Sequence, residues 1–166
     1  MNIPLVYYHR PFFEDKTITI TGISFEEKMR QCPFYFDISE EVKPWTDKHF
    51  YVPKLFQIWG VEENNLRLLF RQRKSAFAKP IMTLMVALFI DLLFWSNEQR
   101  VLDLGDQFFL DLDTLTYKPI NCKERLEFIL QSLDQYHALI QLSALFEEHK
   151  KGFAKMVILE KKNQEM

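Results

Sequence analysis

The chain has 166 residues, enough for one domain of ordinary size and too few for two packed ones. With 48% hydrophobic and 27% charged residues it can build a core, and a formal net charge of −2 excludes a polyanion-binding coat over the whole surface while permitting a local basic patch. Aromatic content is the outlier, with 16 Phe, so the sequence speaks to architecture and contact surfaces before it speaks to any reaction.

Residues 1–50 read as irregular. Pro4, Pro11, Pro33 and Pro44 interrupt them, and aromatics from Tyr7 to Trp45 lie between. Residues 16–21 alternate with period two, a strand signal closed by Gly22, yet no partner strand is evident nearby. Ser24 followed by Glu27 is a capping-box spacing and predicts a short helix to about Gln31, stopped by Pro33. So aromatic a segment is expected to wrap a helical body rather than to be disordered.

Pro53 suits the first turn of a helix carrying Leu55, Phe56, Ile58 and Trp59, with Gly60 as its stop. A second helix is expected from about residues 62–65, with Leu66, Leu69, Phe70 and Phe77 on one face and Arg67, Arg71 and Lys74 on another. Pro80 is expected to separate it from a buried central helix over about 81–95. That apolar stretch of 15 residues is shorter than the about 20 that a membrane span requires, and it carries Asp91, so no membrane span is expected. Residues 96–120 permit a small hairpin around Gly105-Asp106 or a plain loop. Asn121 with Glu124 and Ser132 with Gln135 repeat the capping spacing. The second of these precedes a long helix with Leu139, Leu142, Phe146 and His149 on one stripe, ended or kinked at Gly152. The fold class expected is mainly α: a single-domain helical bundle over 1–166, with 1–50 as the wrapping segment and 51–166 as the helical body.

Candidate chemistry is sparse. Residues 64–90 contain no acid and five bases, Arg67, Arg71, Arg73, Lys74 and Lys79. With Phe70 and Phe77 nearby, such a face grips phosphates, stacks a base if a ring is exposed, or meets an acidic protein. The plain alternatives are a solvated helix face, or pairing with Glu98, Asp103, Asp106, Asp111 and Asp113. Cys122, at the expected start of a helix beside Lys123 and Arg125, has a setting that lowers a thiol pKa, although no His adjoins it in sequence. Asp134 and His137 have helical metal-ligand spacing but lack matching pairs elsewhere, so no metal and no cofactor is expected. Asp91 must be neutralised by a cation, raised in pKa, or surface-exposed. Its company with Thr83 and Ala87 favours a narrow solvent-facing or partner-facing stripe.

Several segments carry a family likeness. Ile3-Pro4, His9-Arg10-Pro11-Phe12-Phe13, Pro44-Trp45, Val52-Pro53-Lys54-Leu55-Phe56-Gln57-Ile58-Trp59, Lys118-Pro119-Ile120-Asn121-Cys122-Lys123-Glu124-Arg125-Leu126, Tyr136-His137, Gln141-Leu142 and Leu145-Phe146-Glu147-Glu148 resemble the YpoC-like family of small proteins from Bacillus-type bacteria. The resemblance implies a small cytoplasmic bacterial protein and supplies no catalytic or binding residue. Only two cysteines, Cys32 and Cys122, and an N-terminus unlike a signal peptide point to the same reducing compartment. The expected function is a non-catalytic protein–protein interaction or accessory role. A nucleic-acid accessory factor using the basic face and a thiol-dependent enzyme at Cys122 are the alternatives.

Overall fold

The computed structural model describes residues 1–165. Helices account for the regular structure: α1 (Phe25–Gln31), α2 (Tyr35–Ser39), a 3-10 turn (Pro44–Thr46), α3 (Lys48–Arg71), α4 (Ser75–Ser96), α5 (Phe108–Asp113), α6 (Cys122–Gln131) and α7 (Tyr136–Glu165). The protein is mainly α, as its periodicity predicts. The alternation at 16–21 meets the chain's own start: Ile3 N–H donates to Lys16 O at 2.8 Å and Ile18 N–H to Met1 O at 2.9 Å. Only a single antiparallel bridge, Asn2 to Thr17, results, so no strand forms there.

Helix α4 organises the rest. Residues 85–96 are all buried, and no face of that stretch reaches water. Helix α3 lies along it, α7 crosses it, and α1 and the 3-10 turn close its remaining sides. Rings mark these contacts: Phe89 meets Phe146 of α7 edge-on at 4.9 Å, Phe94 stacks near Phe108 of α5, and Trp95 approaches Phe25 of α1. At 22 residues α4 is longer than the predicted 81–95 and is long and apolar enough to cross a membrane, so the argument from shortness fails. Here the chain itself covers it.

Three predicted breaks, at Gly60, Pro80 and Gly152, are absent, and Pro53 does not start its helix. Pro53 and Pro80 each stand sixth in a continuous helix, where a proline costs one backbone hydrogen bond just beyond the first turn. Gly60 and Gly152 lie inside α3 and α7. Burial of the long apolar faces against α4 outweighs these local penalties, each on the order of 1 kcal/mol for a helical glycine. The capping box at Ser24 and Glu27 forms in full, with Glu27 N–H donating to Ser24 Oγ at 3.1 Å. Asn121 does precede α6, but in a left-handed conformation (φ 56°) and with no side-chain cap.

Asp91 does not form a surface stripe with Thr83 and Ala87; it is fully buried, and its carboxyl group faces that of Asp37 in α2. Asp37 Oδ1 accepts from Trp95 Nε1 at 3.1 Å and from Val101 N–H at 3.0 Å. Asp37 Oδ2 and both Asp91 oxygens lack any other partner among the described residues. Burial, then the charge of Asp37, holds Asp91 well above the usual carboxylate range. A protonated Asp91 accounts for two of the three oxygens, its own hydroxyl and Asp37 Oδ2, by donating its O–H to Asp37, and leaves the second Asp91 oxygen without a donor. The backbone oxygen of Asp37 extends the network, accepting from Arg100 Nε at 2.7 Å and from Tyr7 Oη at 3.4 Å. Tyr7 also donates to Val101 O, so the wrapping segment is tied to the C-terminal end of α4.

Because Asp91 keeps its proton in the fold and releases it when unfolded, its contribution is greatest below the unfolded pKa of about 4 and is lost as pH rises through its folded pKa. Asp91→Asn keeps a neutral donor and should remove that decline, seen as a smaller drop in urea midpoint between about pH 5 and pH 8 than in the parent. Asp37→Ala strands three buried donors, Trp95 Nε1, Val101 N–H and the Asp91 hydroxyl, and should cost on the order of 3 kcal/mol in the same measurement.

Candidate functional site

The five bases of 64–90 fall at one end of the bundle, where α3 ends and α4 begins. Arg67 and Arg71 share a face in the last turns of α3. Lys74 does not continue it, since α3 stops at Arg71; Lys74 and Arg73, the latter with φ 59°, form the connection, and Lys79 follows in α4. Phe77 also leaves the predicted apolar face: it belongs to the first turn of α4 and is 69% exposed.

A recess of about 300 Å³ lies at this end, lined by Arg67, Phe70, Arg71 and Tyr136. Phe70 meets Tyr136 of α7 edge-on at 6.0 Å. Arg67 Nη2 lies 3.4 Å from both Glu63 Oε2 and Ser143 Oγ, and the Ser143 hydroxyl donates to Glu63. Arg71, Arg73, Lys74 and Lys79 are exposed and form no ion pair among the described residues.

The acidic stretch does not neutralise this face. Glu98 pairs with the buried Lys48 at 3.0 Å, together with Glu160 at 2.6 Å. Asp103 accepts from Gly105 N–H and Asp111 from Gln107 Nε2, while Asp106 and Asp113 form no ion pair among the described residues. Tyr136 lines the recess, and Ser143 and Glu63 hold Arg67 at its edge, without any local signal in the sequence, because their relevance depends on how α7 packs beside α3.

Cys122 is the first residue of α6, as its spacing predicts, but it is buried. Burial pushes its thiol up to about 12 against the smaller opposing pull of Arg125 and Lys118. Desolvation therefore exceeds the helix-terminal and cationic effects that lower a thiol pKa. Cys32 is likewise buried and raised to about 12. His137 is exposed, and the one buried histidine, His149, sits 2.9 Å from Ser96 Oγ. The Ser96 hydroxyl donates to Leu92 O at 2.6 Å, so His149 Nε2 must be the donor in that pair. Burial lowers the His149 pKa to about 4, which keeps the ring neutral near pH 7. A serine whose proton is held by a backbone carbonyl, facing a donor nitrogen, is a structural pair and not an activated nucleophile. Among the described residues, no three His, Cys, Asp or Glu side chains converge as a metal site.

A model of the YpoC-like protein family matches residues 49–161. A protein of Bacillus subtilis (strain 168), named "Uncharacterized protein YpoC", is 38% identical over 135 residues, covering 78% of this chain and 80% of the relative. No solved structure matches.

Two buried thiols with pKa near 12 should resist a thiol reagent in the native protein at about pH 7.5 and should both react on unfolding in urea. Rapid stoichiometric labelling of Cys122 in the folded state would contradict this placement.

Proposed function

The chain belongs to the YpoC-like family, and on that premise we propose that it is a non-catalytic accessory protein of the bacterial cytoplasm that binds an acidic segment of a partner protein. The observation that carries the proposal is the cationic, aromatic end of α3. Arg71, Arg73, Lys74 and Lys79 lack acidic partners there among the described residues, beside a recess walled by Phe70 and Tyr136. Exposed apolar side chains stand among these cations: Leu68 at 48%, Tyr136 at 49% and Phe77 at 69%. A mixed cationic and aromatic patch suits a protein segment that brings both carboxylates and apolar side chains.

A nucleic-acid accessory role has one favourable feature, the exposed Phe77 ring close to Lys74 in sequence, which offers a stacking platform next to phosphate-binding cations. Against it stand the small number of unpaired cations and a net charge of −2, since phosphate neutralisation by Lys and Arg supplies most of non-specific nucleic-acid affinity. In this account α4 is a core helix of a soluble protein, since most of its most apolar stretch is buried by the chain itself.

Fluorescence anisotropy with a labelled Asp/Glu-rich peptide containing Leu and Phe should give saturable binding at about 50 mM salt, weakened at least tenfold by the double change Arg71→Glu, Lys74→Glu. Short DNA and RNA, titrated at about 50 and about 200 mM salt, should bind more weakly than the peptide. Tight nucleic-acid binding that collapses at the higher salt, with no peptide binding, would replace the protein-partner proposal.

A further inference from the structure

The recess beside Arg67 is not isolated; it is one end of a seam that runs the length of α3 against α7. The two helices are antiparallel, and their register is marked by Lys48 with Glu160, Phe56 with Phe153, Trp59 with Phe146, Glu63 with Ser143, and Phe70 with Tyr136. Both bury their inner faces on α4, and at their outer edges they leave an open furrow.

Three recesses follow one another along it. The first, about 460 Å³, lies between Pro53, Phe56 and Phe153 and is bordered by Lys150. The second, about 150 Å³, shares Phe56 and Lys150 with the first and continues past Gly60 to Glu63 and Ser143. The third is the Arg67–Phe70–Arg71–Tyr136 recess, joined to the second through the Glu63, Ser143 and Arg67 hydrogen bonds. From Pro53 to Arg71 an α-helix advances about 27 Å, the length of a partner helix of about 18 residues. In the middle, a Cβ added to Gly60 would meet nothing within 4 Å, so the wall there is bare backbone. That permits close approach by another chain.

Charge selects the occupant. Two acids line the middle of the furrow, Glu63 and Glu147, and Arg67 and Ser143 engage Glu63. Of the other charged lining groups, Lys150 and Arg71 are cations and Glu147 is an acid, and none of the three forms an ion pair among the described residues. Beyond Arg71 the exposed charge is cationic only, through Arg73, Lys74 and Lys79. We infer that the α3/α7 furrow is a docking groove for an amphipathic helix of a partner protein, with apolar side chains set into the Phe56, Trp59 and Phe70 floor and carboxylates facing Lys150 and Arg71. This inference rests on the acidic-partner function proposed above and adds to it the conformation of the partner segment and its track along the protein. Helix-in-groove recognition of this kind needs apolar anchors repeating at three- and four-residue spacing.

The test uses the full chain and a fluorescein-labelled 18-residue peptide with Leu at helical spacing and Glu at the flanking positions. The control is a shuffled peptide of identical composition. Two variants fill the groove from its rim, Gly60→Trp and the exposed Gln57→Trp, with circular dichroism confirming the fold of each. The amphipathic peptide is expected to bind at least tenfold more tightly than the shuffled one, and each groove variant that folds is expected to lose at least tenfold. Equal binding by the shuffled peptide, or full binding by the groove variants together with loss in Arg71→Glu, Lys74→Glu, overturns the groove and leaves the basic end as the contact. Absence of binding by either peptide overturns both proposals. A concentration-dependent dimer in sedimentation that Gly60→Trp abolishes would assign the groove to a second copy of the chain and overturn the acidic-partner occupant.

Discussion

A helix with water-averse side chains on every side cannot be left at a surface, and α4 is such a helix from residue 85 to 96. Its complete coverage sets the positions of everything else. Helices α3 and α7 both pack on it, α5 meets it through Phe108 against Phe94, and the N-terminal segment supplies Phe25 against Trp95. Helices α3 and α7 pack on α4 and also on each other, through the buried stack of Trp59 on Phe146, and they diverge only at the outer rim of that contact. The open furrow follows from the way the core is built.

The wrapping segment needs a polar anchor as well as rings, and the Asp37 carboxylate provides it. It collects Trp95 from α4 and Val101 from the following loop, while its backbone oxygen collects Arg100. Asp91 would oppose this arrangement if ionised, because two buried carboxylates in contact cannot both carry charge at acceptable cost. Held neutral, it becomes the donor that completes the site. Near the same C-terminal end of α4, buried Lys48 joins Glu98 and Glu160, which ties the C-terminal turns of α7 and the end of α4 to the start of α3.

Much of the helical content could be read from local pattern: the Ser24 and Glu27 cap, the first residue of α6, the buried stripe of α7 and the apolar centre of α4. The failures have a common cause. Gly60, Pro80 and Gly152 are local stop signals and Pro53 a start signal, and each is overridden by burial of the faces that continue past it. The i, i+4, i+8 company of Thr83 and Ala87 points to a surface stripe for Asp91, whereas its partner Asp37 arrives from α2, far away in the chain. The basic residues were legible as a cluster, yet Lys74 was assigned to a helix face that ends at Arg71. Tyr136, Ser143 and Gly60 gain their meaning only from the antiparallel register of α3 and α7, which single-sequence spacing does not encode.

The central claim is that a core helix, by claiming the inner faces of α3 and α7, leaves between them a cationic, aromatic groove for a partner helix. Amide-resolved NMR of the isotope-labelled chain during titration with an acidic amphipathic peptide tests it most directly. The account predicts shifts along the facing edges of α3 and α7, at Gly60, Arg67, Arg71, Ser143 and Lys150, with the amides of residues 85–96 unmoved. Shifts concentrated on α5 and α6, or spread through the core of α4, would contradict it.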